Sequence, residues 1–385
     1  MLADRDDPLT TRDQQWGARG AQVLPLGLWL LVSAHLGACE APEPSPDDDE
    51  PAGLECGSCA GDWTISSQED INAATQCAQI EGSLTITASS EAPLELDLTT
   101  CLESVGAALT IADNDALTSL SGLDSLRSVG GDLDIRDNQS LLTVSGLEGL
   151  AAVGGAVLIS WNPVLLDLAG LSSVAQVGQS IEITLNGALT DIAGFLPLTS
   201  LPDDLYISSN NELVHLSGFE SVSSIGGDLE INESPSLLNT DGLSGLIAIG
   251  GDLTVGWNSH LASVDGLAGL ETIGVDLEFY RNDSLPDLSG LGSLQSVAKD
   301  MRIRENATIA HLDDLASLTS VGSDLTIAGN AVLSSLEGIL GLSSLGGSLR
   351  VHNNSTLCQS HAEDVAEQVP AKLDPLIYEN SGPCP

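Results

Sequence analysis

Asp132, Asp204, Asp228, Asp252, Asp276, Asp300 and Asp324 recur at multiples of 24 residues, the last six without a gap. Carboxylates repeated at a fixed interval support two kinds of chemistry. They can hold divalent cations such as Ca²⁺ in a ladder, or they can accept hydrogen bonds from backbone N–H groups at a bend. If stacked at strand spacing, about 4.8 Å, neighbouring charges repel by about 1 kcal/mol in water and about 3.5 kcal/mol at an effective dielectric of 20. A charge-assisted hydrogen bond contributes about 1.5–3 kcal/mol, so backbone bonding alone offsets much of that repulsion.

Bases are scarce, yet Arg281, Lys299, Arg302 and Arg304 fall within one stretch of two repeats. Glu278 stands 24 residues before Arg302, Tyr280 before Arg304 and Arg281 before Glu305, which predicts lateral pairs between adjacent strands. Trp161, Tyr206, Trp257 and Tyr280 share or adjoin the same phase of the repeat. Aromatic rings exposed on a rigid sheet, with Arg302 and Arg304 beside them, suit recognition of a glycan or a protein.

Catalysis finds little footing. His215, His260, His311, His352 and His361 occupy unrelated phases, and the chain has no His-Glu-x-x-His, Gly-x-Ser-x-Gly or Gly-Lys-Ser/Thr motif. A Ca²⁺-dependent polysaccharide lyase is the enzymatic alternative, with Arg302 or Arg304 acting beside Asp276 and Asp300. The expectation is a non-catalytic protein.

The elements that must position these residues follow from the same period. Apolar residues stand at Leu109, Leu133, Val157, Ile181, Leu205, Leu229, Leu253, Leu277, Met301, Leu325 and Leu349, and again two positions after each. An apolar-x-apolar step rich in β-branched residues is a short strand with two side chains inward. Three residues further on comes Asn114, then Asn138, Asn162, Asn186, Asn210, Ser234, Asn258, Asn282, Asn306, Asn330 and Asn354. Apolar residues then recur every third position, as in Leu117, Leu120, Leu123, Leu126 and Val129. Spacings of two and then three fit neither helix nor long strand. They fit a flattened coil whose apolar side chains always face in, and such coils must stack to close a core. The expected fold is all-β: a right-handed parallel β-helix, or leucine-rich-repeat-like solenoid, of about eleven 24-residue coils, roughly 50 Å long.

The inward Asn column should satisfy backbone groups at a bend. Six Asn-x-Ser/Thr sequons involve these Asn or their neighbours, and an inward Asn is a poor glycan acceptor. A second column runs Gly122, Gly146, Gly170, Gly194, Gly218, Gly242, Gly266, Gly290, Asp314 and Gly338, which predicts a left-handed corner. The open ends need caps. Residues 67–76 and 360–369 read as short capped helices, the second with capping-box spacing from Ser360 to Glu363.

With 55 acidic and 11 basic residues, the formal charge is -44, which argues against nucleic acid or an anionic membrane surface as partner. Disorder does not follow, because 42% of residues are apolar, although only 3% are aromatic. Residues 1–39 read as a secretory signal ending in Leu36-Gly37-Ala38-Cys39. That tetrapeptide resembles a bacterial lipobox, which would make Cys39 the site of lipid attachment and the membrane a partner. Residues 40–58, rich in Pro and acids, read as a tether. The solenoid with its front cap then spans residues 59–357 and a C-terminal cap 358–385. The expected place is the cell envelope, at the outer membrane or cell surface. Six further cysteines suggest disulfides at the caps. Cys358 and Cys384 can staple the tail to the last coil. Cys77 pairs with either Cys101, one period away, or Cys59.

Cys77-Ala-Gln-Ile-Glu-Gly-Ser-Leu-Thr-Ile86 with the short helix before it, and the Gly-Gly-Asp-Leu-x-Ile repeats at Gly130–Ile135 and Gly226–Ile231, resemble the receptor L-domain family. The resemblance covers roughly residues 59–384. It implies a right-handed leucine-rich-repeat-like β-helix with cysteine-closed ends, a Cys59–Cys77 bridge, and a role in binding or envelope architecture. The chain departs from that family in running about eleven uninterrupted coils and in lacking a cysteine-rich module or a kinase domain.

Overall fold

The computed structural model describes residues 56–88, 96, 98 and 101–384. The signal, Cys39 and nearly all of the tether lie outside these residues. The described part is a parallel β-solenoid in three sheets. Fourteen short strands, among the described residues, form one long sheet running from Trp63–Ile65 to Leu376–Tyr378. In its repeating part the register is the sequence period itself: Leu133 pairs with Val157, Val157 with Ile181, Ile181 with Leu205 and so on to Leu349. In the four-residue strands of the long sheet the first and third side chains enter the core and the second lies outward, as the fourth does in strands such as Leu133–Arg136 and Leu205–Ser208. The inward residues of all coils form one continuous cluster. Stacking is what buries them, since one coil presents only a single layer of side chains.

A second column of two-residue strands runs along another side, and it is split into two sheets between Gln176–Val177 and Ser200–Leu201. Pro202 explains the break. At the equivalent position Gly154 and Gly178 donate their N–H to Val129 and Val153, and Gly226 donates to Leu201. Proline has no N–H to give to Val177.

The Asn column does what its phase predicts. Asn138, Asn162, Asn258 and Asn306 are fully buried. In a typical rung Asn162 Oδ1 accepts the Asn138 N–H at 3.3 Å, while Asn162 Nδ2 donates to Ile135 O at 2.9 Å and Ser160 O at 3.0 Å. The ladder extends to Asn380, which lies 26 residues beyond Asn354 and accepts its N–H at 3.2 Å.

The glycine corner departs from expectation. Positive φ occurs at Gly122, Gly146 and Gly218, but five others of the column (Gly170, Gly242, Gly266, Gly290 and Gly338) lie in 3₁₀ turns without it. Space is the reason for glycine there: a Cβ on Gly266 would stand 1.8 Å from Thr240 O, and one on Gly338 1.6 Å from Leu312 O. The left-handed corner lies elsewhere, at the residue before each Asn. Asp113, Asp137, Trp161, Leu185, Ser209, Glu233, Trp257, Arg281, Glu305, Gly329 and Asn353 all have φ between 50° and 69°. For most of these the conformation costs about 1–2 kcal/mol, which the Asn bonds offset.

Helix α1 (Gln68–Ala74) closes the front, with Ser67 capping it through the Asp70 N–H. Helix α2 (Gln359–Ala366) closes the back, starting one residue before Ser360, so the predicted capping box is not formed. The solenoid runs past the expected boundary at 357, because Ile377 pairs with Val351 in the long sheet. Three disulfides among the described residues tie the ends: Cys59–Cys77, Cys358–Cys384 and Cys56–Cys101. Cys101 therefore bonds to Cys56 and not to Cys77. No helix among the described residues is long and apolar enough to cross a membrane.

Candidate functional site

The left-handed residue at each corner turns its side chain out beside the strand face, and this raises Trp257, Arg281 and Glu305 in three successive coils. The Arg281 guanidinium lies over the Trp257 indole, with Cζ 4.1 Å from the ring centroid. Its Nε donates to Glu305 Oε2 at 2.5 Å. The three line a shallow, open depression together with Ser259 and Asp283. Trp257 is 46% exposed, so one indole face carries the guanidinium and much of the rest meets solvent.

Tyr280 belongs to the same neighbourhood and has a structural task. Its ring lies across Gly256 in the preceding strand, where a Cβ would come within 2.2 Å of Cε1. The Arg304 guanidinium covers it at 5.5 Å. Arg304 Nε also bonds Glu278 Oε1 at 2.5 Å. The predicted Tyr280–Arg304 and Arg281–Glu305 neighbours are therefore in place. Glu278 is the register partner of Arg302, as expected, but its ion pair is diagonal, to Arg304. Arg302 leans back along its strand to Asp276 Oδ2 (3.1 Å) and to Asp300. Two carboxylates flanking one guanidinium outweigh the single one opposite it.

The other predicted aromatics are separate. Trp161, 52% exposed, is four coils from Trp257, about 19 Å at strand spacing. Its register neighbour is Leu185, with Leu142 and Leu166 exposed nearby in sequence. Tyr206 is half-buried within the acidic stretch. Burial, the charges of Asp204 and Asp228, and a hydrogen bond to Asp204 push its phenol well above the ordinary tyrosine range.

The Asp column forms as predicted and is bound up in the backbone. The Asp228 N–H donates to Asp204 Oδ1 at 2.7 Å, Asp252 to Asp228 at 2.7 Å, Asp276 to Asp252 at 2.8 Å, Asp300 to Asp276 at 3.0 Å, Asp324 to Asp300 at 2.9 Å and Ser348 to Asp324 at 2.7 Å. The outer oxygens of Asp276, Asp300 and Asp324 pair with Arg302 or Arg350. One carboxylate per coil cannot wrap a cation, and no group of three or more His, Cys, Asp or Glu among the described residues is arranged to hold a metal ion. The carboxylates expected as a cation ladder thus spend their inner oxygens on the backbone N–H groups of the next coil.

Sequence reasoning missed Ser259, Asp283 and Glu305 as neighbours of Trp257. Glu305 was recognised only as a partner for Arg281. The available signal was the phase immediately before the Asn column, but its residues are chemically mixed and carry no common turn signature. The chain matches no family model, and the search of curated proteins returned no match.

Proposed function

We propose that this chain is a non-catalytic recognition or adhesion module, exported and held at the cell envelope by a lipid on Cys39, and that it captures a glycan or protein on the flank of its long sheet at Trp257. The observation that carries this reading is the Trp257–Arg281–Glu305 arrangement. An indole fixed on a rigid corner offers an apolar face, while Glu305, Asp283, Arg281 and Ser259 around it offer the acceptors and donors that hydroxyl-rich or peptide ligands need. Disulfides at both ends support an oxidising, exported setting. The likeness to receptor L-domains supports binding and says nothing of the ligand.

The test is a glycan and protein array probed with the purified protein and with Trp257→Ala. Capture that the variant loses supports the reading. Capture of nothing, with envelope defects on deletion of the gene, replaces it with an architectural role. That second reading draws on Arg302 and Arg304, whose charges are spent on Asp276, Asp300 and Glu278 within the sheet. Turnover of uronate polymers that requires Ca²⁺ would overturn both.

A further inference from the structure

The depression at Trp257 carries more hydrogen-bonding capacity than the fold uses. Two outward columns border it: the left-handed corner residues Trp257, Arg281 and Glu305, and, two positions after the first two of these, Ser259 and Asp283. The loops that carry the second column are tied in place, since the Ser284 hydroxyl donates to Ser259 O at 2.7 Å and the Thr308 hydroxyl to Asp283 O at 3.1 Å. Arg281 spends Nε on Glu305 Oε2 and rests on the indole, which fixes the plane of its guanidinium. Among the described residues, Arg281 Nη1 and Nη2, the second Glu305 oxygen, the Asp283 carboxylate and the Ser259 hydroxyl form no hydrogen bond within the protein. Trp161, also exposed, has no such surroundings. The corner residues on either side of it are Asp137 and Leu185, and Pro163 and Gly187 stand where Ser259 and Asp283 stand at Trp257.

We infer that the ligand of this site is a neutral, hydroxyl-rich sugar; the inference rests on the recognition reading above and narrows it. Charge decides between the ligand classes. An anionic glycan could use the free Arg281 fork, but Asp283 and Glu305 stand beside that fork on a protein of net charge -44. A basic polypeptide is drawn to the acidic surface at large. At Trp257, however, the cation position over the ring is already filled, with Arg281 Cζ 4.1 Å from the centroid, and displacing it leaves Glu305 unpaired. A neutral polyol meets neither obstacle. Each sugar hydroxyl both donates and accepts, so adjacent hydroxyls take N–H bonds from Arg281 and give O–H bonds to Asp283 or Glu305, with Ser259 serving either way. The apolar C–H face of the sugar ring covers exposed indole. The depression measures about 420 Å³, toward the small end of the range of about 300–1,000 Å³ for ligand sites, which suits one or two sugar units at a time.

The experiment titrates the intact protein by calorimetry with cello-, manno- and galacto-oligosaccharides, with oligogalacturonates and with an oligo-lysine peptide. A neutral set should bind saturably, with an affinity unchanged between about 0.05 and 0.5 M salt, because no net charge is paired. Trp257→Ala should weaken that binding about tenfold or more. Arg281→Lys keeps the charge and loses the planar fork, and Asp283→Ala removes an acceptor, so each should weaken it about tenfold. Glu271→Gln, an exposed acid elsewhere, should change nothing. Trp257, Arg281 and Asp283 are exposed or half-exposed, and thermal melting checks that each variant folds. Neutral-sugar binding of equal strength in wild type and the three site variants overturns the inference. So does Trp257-dependent binding of oligogalacturonate or oligo-lysine with no neutral sugar bound, an outcome that leaves the recognition reading standing. Absence of any Trp257-dependent ligand, sugar or protein, overturns both.

Discussion

A methyl group on Gly251 would stand 2.0 Å from Asp228 Oδ1, the atom that accepts the Asp252 N–H. The Gly-Gly-Asp step is therefore one device. Its second glycine clears space for the carboxylate of the coil before, and its Asp donates the N–H that this carboxylate binds. Gly251→Ala should destabilise by about 1–3 kcal/mol through overpacking. Asp228→Ala removes the obstructing oxygen, so the double variant should lose less than the sum, with a coupling of about 0.5–3 kcal/mol. Urea denaturation of the four proteins of the cycle reads this directly, and strict additivity would refute it.

Trp257 is half-exposed and its contact with Arg281 is a surface cation–π pair worth about 0.5–1 kcal/mol. Trp257→Ala should therefore cost stability only on that scale, while abolishing ligand capture. Trp257→Phe should keep part of both. A loss of several kcal/mol in thermal melting would mean that the ring is a packing element.

Glu230 carries its proton to higher pH in the folded protein than its ordinary value of 4.5, chiefly because it is buried. Between those two values the folded chain binds more protons than the unfolded one, so this residue lowers stability as pH rises through the window. Its cost is absent below about 4.5 and fully present above the folded value. Glu230→Gln should flatten the fall in stability from about pH 4.5 upward and leave the profile below that unchanged. An unaltered profile would place the shift elsewhere.

The sequence showed most where one residue type meets one constraint in every coil. Leu133, Val157 and Ile181 are apolar because each fills the same layer, and Asn138, Asn162 and Asn186 recur because each closes the same three bonds. It showed least where the constraint comes from the neighbouring coil. The left-handed position holds Trp161, Leu185 and Arg281, since the Asn rung enforces the bend whatever stands before it. Gly242 and Gly290 look like left-handed glycines in one dimension and prove to be places where two backbones touch. Arg302 could not be assigned its partners from register alone, because a long side chain leans along the strand and chooses among three acids.

Cys56–Cys101 spans 45 residues and encloses Cys59–Cys77, a pairing that the spacing of the cysteines did not disclose. Allowing for the inner bridge, chain entropy assigns the outer one about 3–4 kcal/mol. Cys56→Ser with Cys101→Ser should lower stability by that order. Mass spectrometry of unreduced peptides should recover Cys56 linked to Cys101, and recovery of Cys77 linked to Cys101 would contradict the front cap described here.

Ser234 is the one rung where the buried ladder lacks its amide between Asn114 and Asn354. Its N–H still reaches Asn258 Oδ1 at 3.0 Å, and its hydroxyl turns back to Asn232 O at 3.2 Å. What is missing is the arm that elsewhere crosses to the preceding strand, as Asn258 Nδ2 does to Ile231 O at 2.8 Å, and the oxygen that receives the N–H of the rung before. Ser234→Asn restores both to Ile207 and Asn210, at a site with the same backbone and the same left-handed residue, Glu233, before it. Two net hydrogen bonds of about 0.5–1.5 kcal/mol each, less the entropy of one more ordered side chain, should raise stability by about 1 kcal/mol. Slower amide exchange at Asn210 would accompany it. A destabilised Ser234→Asn would mean that the coils around residue 234 are spaced too closely for the amide, and that the serine is there for room.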